Sequence, residues 1–343
     1  MRWNSLSVAQ AAVTPPGALP LAMPDAVVRT FDTPGFAGMT FYEIRAKSII
    51  SKVPAASQVP FSWTINPYRG CGHACVYCFA RNTHTYLDMD SGHDFDSKVV
   101  VKVNAVELLR RELAAPRWSG EPIAMGTNVD CYQRAEGRYG LMRGIISALR
   151  DRANPFSILT KGTLITRDLD LLAQAAAVTR VGISFSVGSL DETVWREVEP
   201  GTPSPSRRLD AVRRFADAGF DVTVLMAPIL PGLTDTDESI DATVAAIARS
   251  GATAVVPLTL HLRTGAREWY SAWLARAHPE LLDRYREVYG SRAYAPKAYQ
   301  RGISARVAQA ARRYQLERPT MTRHRQLAPP TESPAPAEQL TLL

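Results

Sequence analysis

Cysteine is scarce in this chain, with four in 343 residues, too few for a disulfide framework. Long apolar runs are also missing: no stretch approaches the ~20 consecutive apolar residues that a membrane helix needs. The N-terminal stretch carries Arg2 but breaks at Thr14-Pro15-Pro16-Gly17, too polar and kinked for the apolar part of a secretory signal. No Ser/His/Asp arrangement and no phosphate-binding glycine loop is legible, so hydrolysis and nucleotide phosphoryl transfer have no support. Together these absences point to a cytoplasmic protein with reduced thiols and no membrane association. An apolar content of 46% and a charged content of 21% mark an ordinary globular chain, large enough for one big domain or two smaller ones.

Three of the four cysteines fall in one short loop. The run Asn66-Pro67-Tyr68-Arg69-Gly70-Cys71-Gly72-His73-Ala74-Cys75-Val76-Tyr77-Cys78-Phe79-Ala80-Arg81 has C-x3-C-x2-C spacing. Three thiolates so placed can hold three corners of a cubane 4Fe–4S cluster, which ordinarily takes four cysteine ligands. One iron is then left open to bind something else. A structural zinc site is the competing reading, with His73 or the distant Cys131 as fourth ligand, although no second C-x2-C half exists to complete it. Accidental clustering of core cysteines fits poorly with the flanking Gly70, Gly72 and polar residues.

The rest of the chain alternates strand and helix. Strands are expected at 61–66, 122–127, 156–160, 181–187, 221–229 and 254–262. Helices are expected at 105–115, 138–152, 168–178, 206–218, 237–250 and 268–289. Gly219 should cap the fourth of these helices, and Thr236 or Asp237 should open the fifth. Six βα units imply parallel strands, in an open doubly wound sheet or a barrel. Six falls short of the eight of a closed barrel, so the α/β architecture expected is a partial (β/α)6 TIM-like barrel. The cysteine loop follows the first strand, at the end where such folds carry their ligands. We divide the chain into an irregular N-terminal arm (1–40), the barrel (41–290), a basic helical segment (291–318) and a Pro-rich disordered tail (319–343).

The cysteine spacing, with an aromatic before the last cysteine and six βα units behind it, resembles the radical S-adenosylmethionine superfamily. The motifs Asn66-Pro67-Tyr68-Arg69-Gly70-Cys71, Cys78-Phe79-Ala80-Arg81, Thr160-Lys161, Glu199-Pro200-Gly201 and Arg208-Leu209 resemble the branch related to spore photoproduct lyase, over roughly residues 40–290. The resemblance implies a radical SAM type of partial barrel. It also implies a 4Fe–4S cluster on Cys71, Cys75 and Cys78, with S-adenosylmethionine on the open iron. One-electron reduction would then cleave the cofactor to methionine and a 5′-deoxyadenosyl radical. Cluster potentials span about −700 to +450 mV, and this cleavage needs the low end, so a strong donor such as ferredoxin or flavodoxin is an expected partner.

Other roles follow from the same resemblance. Tyr77 either packs near the adenine or is a core aromatic supporting the loop. Lys161 either pairs with the methionyl carboxylate or is a solvated lysine. Ser184 and Ser186 share one face of the fourth strand, where they either contact the cofactor or are small polar core residues. Gly126, Thr127 and Asn128, at the end of the second strand, are candidates for the methionine amino group, the glycine because it admits close backbone approach. Cys131 is a candidate catalytic thiol in a relay or substrate contact, or else a buried inert one. Its local pattern does not align with the hydrogen-donating cysteine of the lyases, which puts thymine-lesion repair in doubt.

The net charge of +7 is concentrated. Seven arginines between Arg301 and Arg325 face one acid, Glu317, so +6 of it lies in this segment. Ile303, Val307, Ala310 and Tyr314 recur there at helical spacing beside Arg306 and Arg313. This basic helix either packs on the barrel with a solvated arginine face or contacts the phosphates of a nucleic acid. Three functions therefore compete: a radical enzyme acting on DNA or RNA in a lyase-like reaction, the same chemistry on a small molecule or peptide, and a non-catalytic zinc-stabilised nucleic-acid-binding protein.

Overall fold

The computed structural model describes residues 6–7, 26–54, 57 and 59–316. The tail at 319–343 and most of the N-terminal arm lie outside the described residues. Six parallel strands form the expected succession: β1 (Trp63–Ile65), β2 (Ile123–Met125), β3 (Phe156–Thr160), β4 (Val181–Ser186), β5 (Val222–Ile229) and β6 (Ala254–Thr259). Each pairs with the next in chain order. The sheet is therefore a partial TIM-like barrel, open between β1 and β6, with Ile50–Lys52 added antiparallel at the β1 edge.

The longer helices are α1 (Ala105–Leu113), α2 (Leu141–Asp151), α3 (Leu169–Ala176), α4 (Pro205–Asp217), α5 (Asp237–Arg249), α6 (Ala266–Ala277), α7 (Leu282–Tyr289) and α8 (Lys297–Arg313). The period-3.6 stripe of α2 buries Met142, Ile145, Ile146 and Leu149 completely. Each such side chain contributes about 1.5–3 kcal/mol of burial free energy. The pleat of β4 sends Ile183 and Phe185 outward, Phe185 against Phe215 of α4, and turns Ser184 and Ser186 inward. Thr236 caps α5 through Ser239 N at 3.1 Å.

Two features depart from the sequence pattern. The long helix expected over 268–289 breaks into α6 and α7, because Pro279 lacks the N–H that a continuous helix needs and disfavours helix at His278. A second sheet also stands beside the barrel. It contains Val27–Arg29, Thr40–Ala46, Lys98–Lys102 and Tyr68–Arg69, with Leu6–Ser7 paired to Thr40–Ala46. One face of it (Phe41, Tyr68, Val99, Val101) enters the main core. On the other face, Tyr42, Ile44 and Val100 meet Ala26, Leu87 and Met89.

Helix α8 packs on α5 and β6, burying Ile303, Val307, Ala310 and Ala311. Arg306 bridges to Asp237 at 3.0 Å and Arg313 to Asp241 at 2.5 Å, so two of the segment's arginines serve this docking. No helix among the described residues is long and apolar enough to cross a membrane.

Candidate active site

The cysteine loop leaves the second sheet at Arg69 and is bracketed on three sides. Gln133 clasps its start, accepting from Gly72 N at 3.0 Å and donating to the Gly70 carbonyl at 2.9 Å. Cys71 N donates to the Phe95 carbonyl at 2.9 Å, and Val76 N to the Val198 carbonyl at 3.0 Å. Arg81 is fully buried between the rings of Phe95 and Trp269. It donates to the Cys75 carbonyl at 2.9 Å and to Asp96 at 2.8 Å. Cys75, Val76 and Tyr77 then pack with Leu260, Leu262, Tyr270 and Tyr285, from the chain after β6. The loop thus reaches from β1 across the open side of the barrel.

None of this bonding engages a cysteine sulfur, which leaves the thiols for something else. Cys71, Cys75 and Cys78 are free; Cys75 Sγ lies 3.9 Å from the His73 carbonyl, and backbone at His73 and Ala80 reaches the Cys71 and Cys78 thiols. Burial is the largest cause holding each thiol above its ordinary pKa, and the Cys71 thiol also feels the other two. Such a trio is costly as bare thiolates and stable as iron ligands. It fits a cluster better than a single zinc ion. The His73 ring turns to Asp130, Nδ1 to Oδ2 3.4 Å, and Cys131 lies in the core near Tyr68 and Tyr132 with 1% exposure. Among the described residues no three His, Cys, Asp or Glu side chains form a site for a metal ion.

Beside the loop, at the C-terminal ends of β4 and β5, opens a shallow cleft, ≈ 290 Å³ with the open solvent at its mouth included, whose walls include Tyr77, Trp195, Val198, Glu199 and Leu230. Tyr77 and Glu199 line this cleft, and Lys161 and Ser186 meet them from outside its lining. Lys161 Nζ donates to Ser186 Oγ at 2.6 Å, stands 3.6 Å from Glu199 and lies 5.8 Å from the Tyr77 ring centre. Ser184 is half-buried on the same inner face of β4, and Thr127 and Asn128 are half-buried after β2. Of the candidate residues Tyr77 alone lines the cleft, and Cys131 is buried in the core.

Sequence reasoning assigned no role to the groups that tie these residues together. Glu199 accepts hydrogen bonds from Tyr77 Oη and Arg208 Nη2, and Arg208 also donates to the Ser186 carbonyl at 3.0 Å. Burial pushes the Glu199 carboxyl upward, but Arg208, Lys161 and the Tyr77 hydroxyl outweigh it and hold it at about 2. Asp130 joins three elements, accepting from Thr160 Oγ1 and Lys161 N, each at 2.6 Å, and facing His73. Glu199 and Arg208 stand in motifs legible in the sequence, but a contact between elements nine residues apart leaves no periodic signal.

Gly126 sits at φ +75°, and a Cβ there would lie 1.8 Å from the Leu159 carbonyl oxygen. The close approach expected of this glycine is therefore to β3. Gly126→Ala should cost about 2–5 kcal/mol, from left-handed strain of about 1–2 and overpacking of about 1–3. Gly219→Ala, at φ +86° with nothing within 4 Å, should pay the first cost alone. Urea midpoints of the two variants test this, and equal losses would remove the clash with β3 from the account.

Comparison with known proteins gives the family of the chain. The family model of the radical SAM superfamily matches residues 65–244. The chain belongs to that superfamily, whose cofactors are a 4Fe–4S cluster and S-adenosylmethionine, and is a radical SAM enzyme. An uncharacterised protein of Mycobacterium tuberculosis is 48% identical over 343 residues, all of both chains. One from Methanocaldococcus jannaschii is 30% identical over 197 residues, 57% of this chain and 70% of the other. Among solved structures, a spore photoproduct lyase variant with bound AdoMet and dinucleoside spore photoproduct superposes with a TM-score of 0.58 at 16% identity, covering 76% of each chain. That identity establishes a shared fold.

Proposed function

We propose that this enzyme cleaves S-adenosylmethionine reductively and uses the resulting 5′-deoxyadenosyl radical on a substrate held at the open side of the barrel. Cys71, Cys75 and Cys78 would hold the cluster, which supplies the single electron for that cleavage when bound. The observation that carries the reading is the convergence of Tyr77, Lys161 and Ser186 beside the three-thiol loop.

Lys161 supplies a cation for the methionyl carboxylate, exchanging its contact with Glu199 for one with the ligand. The Tyr77 ring, with Trp195, Val198 and Leu230, offers an apolar wall of the kind an adenine needs. Gly126, Thr127 and Asn128 present backbone and polar groups to the amino group, and Ser184 and Ser186 line the inner face toward the ribose. In this reading Cys131 is a packed core thiol. The electron comes from a low-potential donor of the ferredoxin or flavodoxin kind.

A nucleic acid is the substrate class we favour. The spore photoproduct lyase structures hold a dinucleoside photoproduct, and the segment from Arg301 to Arg325 carries a net +6, although Arg306 and Arg313 are paired to acids of α5. A small molecule or peptide is the alternative. Anaerobically reconstituted protein given dithionite and S-adenosylmethionine should release 5′-deoxyadenosine, and faster with the right oligonucleotide. No release from a cluster-loaded sample would refute the enzymatic reading. Release that no DNA or RNA accelerates, with no binding at low salt, would refute the nucleic-acid part alone.

A further inference from the structure

The outer face of the second sheet holds two cations that no side chain among the described residues pairs with. Tyr42 and Arg69 both stand opposite Val100, so the three form one row across three strands. Lys102 lies two residues further along the central strand and points the same way. It is thus a diagonal neighbour of Arg69. Lys102 is 9% exposed and Arg69 is half-buried. Among the described residues, neither side chain has a hydrogen bond or an ion pair, and the Tyr42 hydroxyl has no partner either.

Among the described residues, the acids that act on Tyr42 and Lys102 are already engaged. Asp94 binds Lys98 at 2.8 Å. Glu112 accepts from Ile49 N at 2.9 Å and Ile50 N at 2.8 Å.

Burying one cation costs several kcal/mol, and placing a second beside it adds repulsion. Burial first, and Arg69 second, hold the Lys102 ammonium down at about 8, while Glu112 offsets little of this. Arg69 has no such relief, because a guanidinium keeps its proton. A sheet that sets two such charges side by side gains stability when an outside anion joins them.

We propose that Arg69, Lys102 and the Tyr42 hydroxyl form a binding site for a phosphate group. A guanidinium fork matches two oxygens of a phosphate, and the ammonium supplies a point charge for a third. A carboxylate, with one negative charge, would leave a positive charge buried, whereas a phosphate near −2 neutralises both. Arg69 lies two residues before Cys71, so an occupied site fixes the strand that enters the cysteine loop.

The test uses the full-length, anaerobically reconstituted protein and its thermal unfolding midpoint. Inorganic phosphate should raise the midpoint by about 2–4 °C over chloride at equal ionic strength, with saturation. In Lys102→Met and Arg69→Gln that phosphate-specific rise should vanish. Without phosphate, Lys102→Met should unfold no lower than the parent, because it removes a charge that is largely buried beside Arg69 with no protein partner. Adenosine 5′-monophosphate acting at lower concentrations than phosphate, with adenosine inert, identifies a nucleotide-borne phosphate. Equal potency identifies the free ion. No phosphate-specific rise in the parent, or a Lys102→Met variant that unfolds lower and still responds, overturns the site.

Discussion

Cys75→Ala should purify, under strict exclusion of oxygen, as a folded but colourless protein. The parent should carry iron and acid-labile sulfide with broad visible absorption. Removing one of three protein ligands leaves two thiolates to hold a cluster that ordinarily takes four. Loss of a mere outer partner already weakens metal binding by about 10–100-fold, so the loss of a ligand should take iron and sulfide to background. The fold should survive, because the loop is held through its backbone by Gln133, Arg81 and the Val76–Val198 bond rather than through sulfur. Cys71→Ala and Cys78→Ala should behave alike.

Cys131→Ala is the internal control. Its thiol packs near Tyr68 and Tyr132, and no loop thiol is among the groups acting on it, so that variant should keep its iron and lose only core packing. Iron and sulfide retained by all three loop variants would end the cluster assignment. Loss of metal in the Cys131 variant would mean that a fourth thiolate closes the site.

Much of the barrel could be read from the chain because its signals are local. The stripe on α2, the alternation in β4 and the stop at Gly219 each lie within a few residues, and each element appears within one to three residues of its expected position. The second sheet was not legible. Lys98-Val99-Val100-Val101-Lys102 is apolar on both faces, so it shows no alternation, and its partners at Thr40–Ala46 and Tyr68–Arg69 are remote in sequence.

The site divides along the same line. The three cysteines form a spacing motif and could be named at once. Tyr77, Lys161 and Ser186 are brought together only by the order of strands around the barrel. Glu199 and Asp130 tie the most elements together there, yet each is one acid among 33 in the sequence. What distinguishes them is burial opposite a cation or several donors, which no local pattern encodes. Cys131 shows the converse: it adjoins Asp130 in sequence, but its side chain lies in the core.

Arg208→Met should lower the stability of the protein by about 3–5 kcal/mol, the usual cost of stranding one member of a buried ion pair. Arg208 has no exposed surface, and Glu199 is 5% exposed. Without the guanidinium, Glu199 keeps Tyr77 Oη and a Lys161 ammonium 3.6 Å away, too little to offset its burial. The bonds from Arg208 to the Ser186 and Pro203 carbonyls are lost as well. Replacing both partners, as in Glu199→Leu with Arg208→Met, should recover part of the loss, and the double-mutant cycle measures the coupling.

The pair also sets an acid limit on the fold. Glu199 has a folded pKa of about 2 against an ordinary 4.5, so its contribution is complete above about pH 4.5 and is lost as pH falls toward 2. Urea midpoints of the metal-free protein between pH 5 and 3 should therefore fall more steeply for the parent than for the double variant. Glu199→Gln separates the site from the fold: it keeps a hydrogen-bond acceptor for Tyr77 and removes the charge that holds Lys161 beside the ring. If that variant binds S-adenosylmethionine as the parent does, the Glu199–Arg208 pair supports the barrel alone. Weaker binding, measured where the urea midpoint shows the variant still fully folded, would make the buried acid the device that keeps Lys161 and Tyr77 in place.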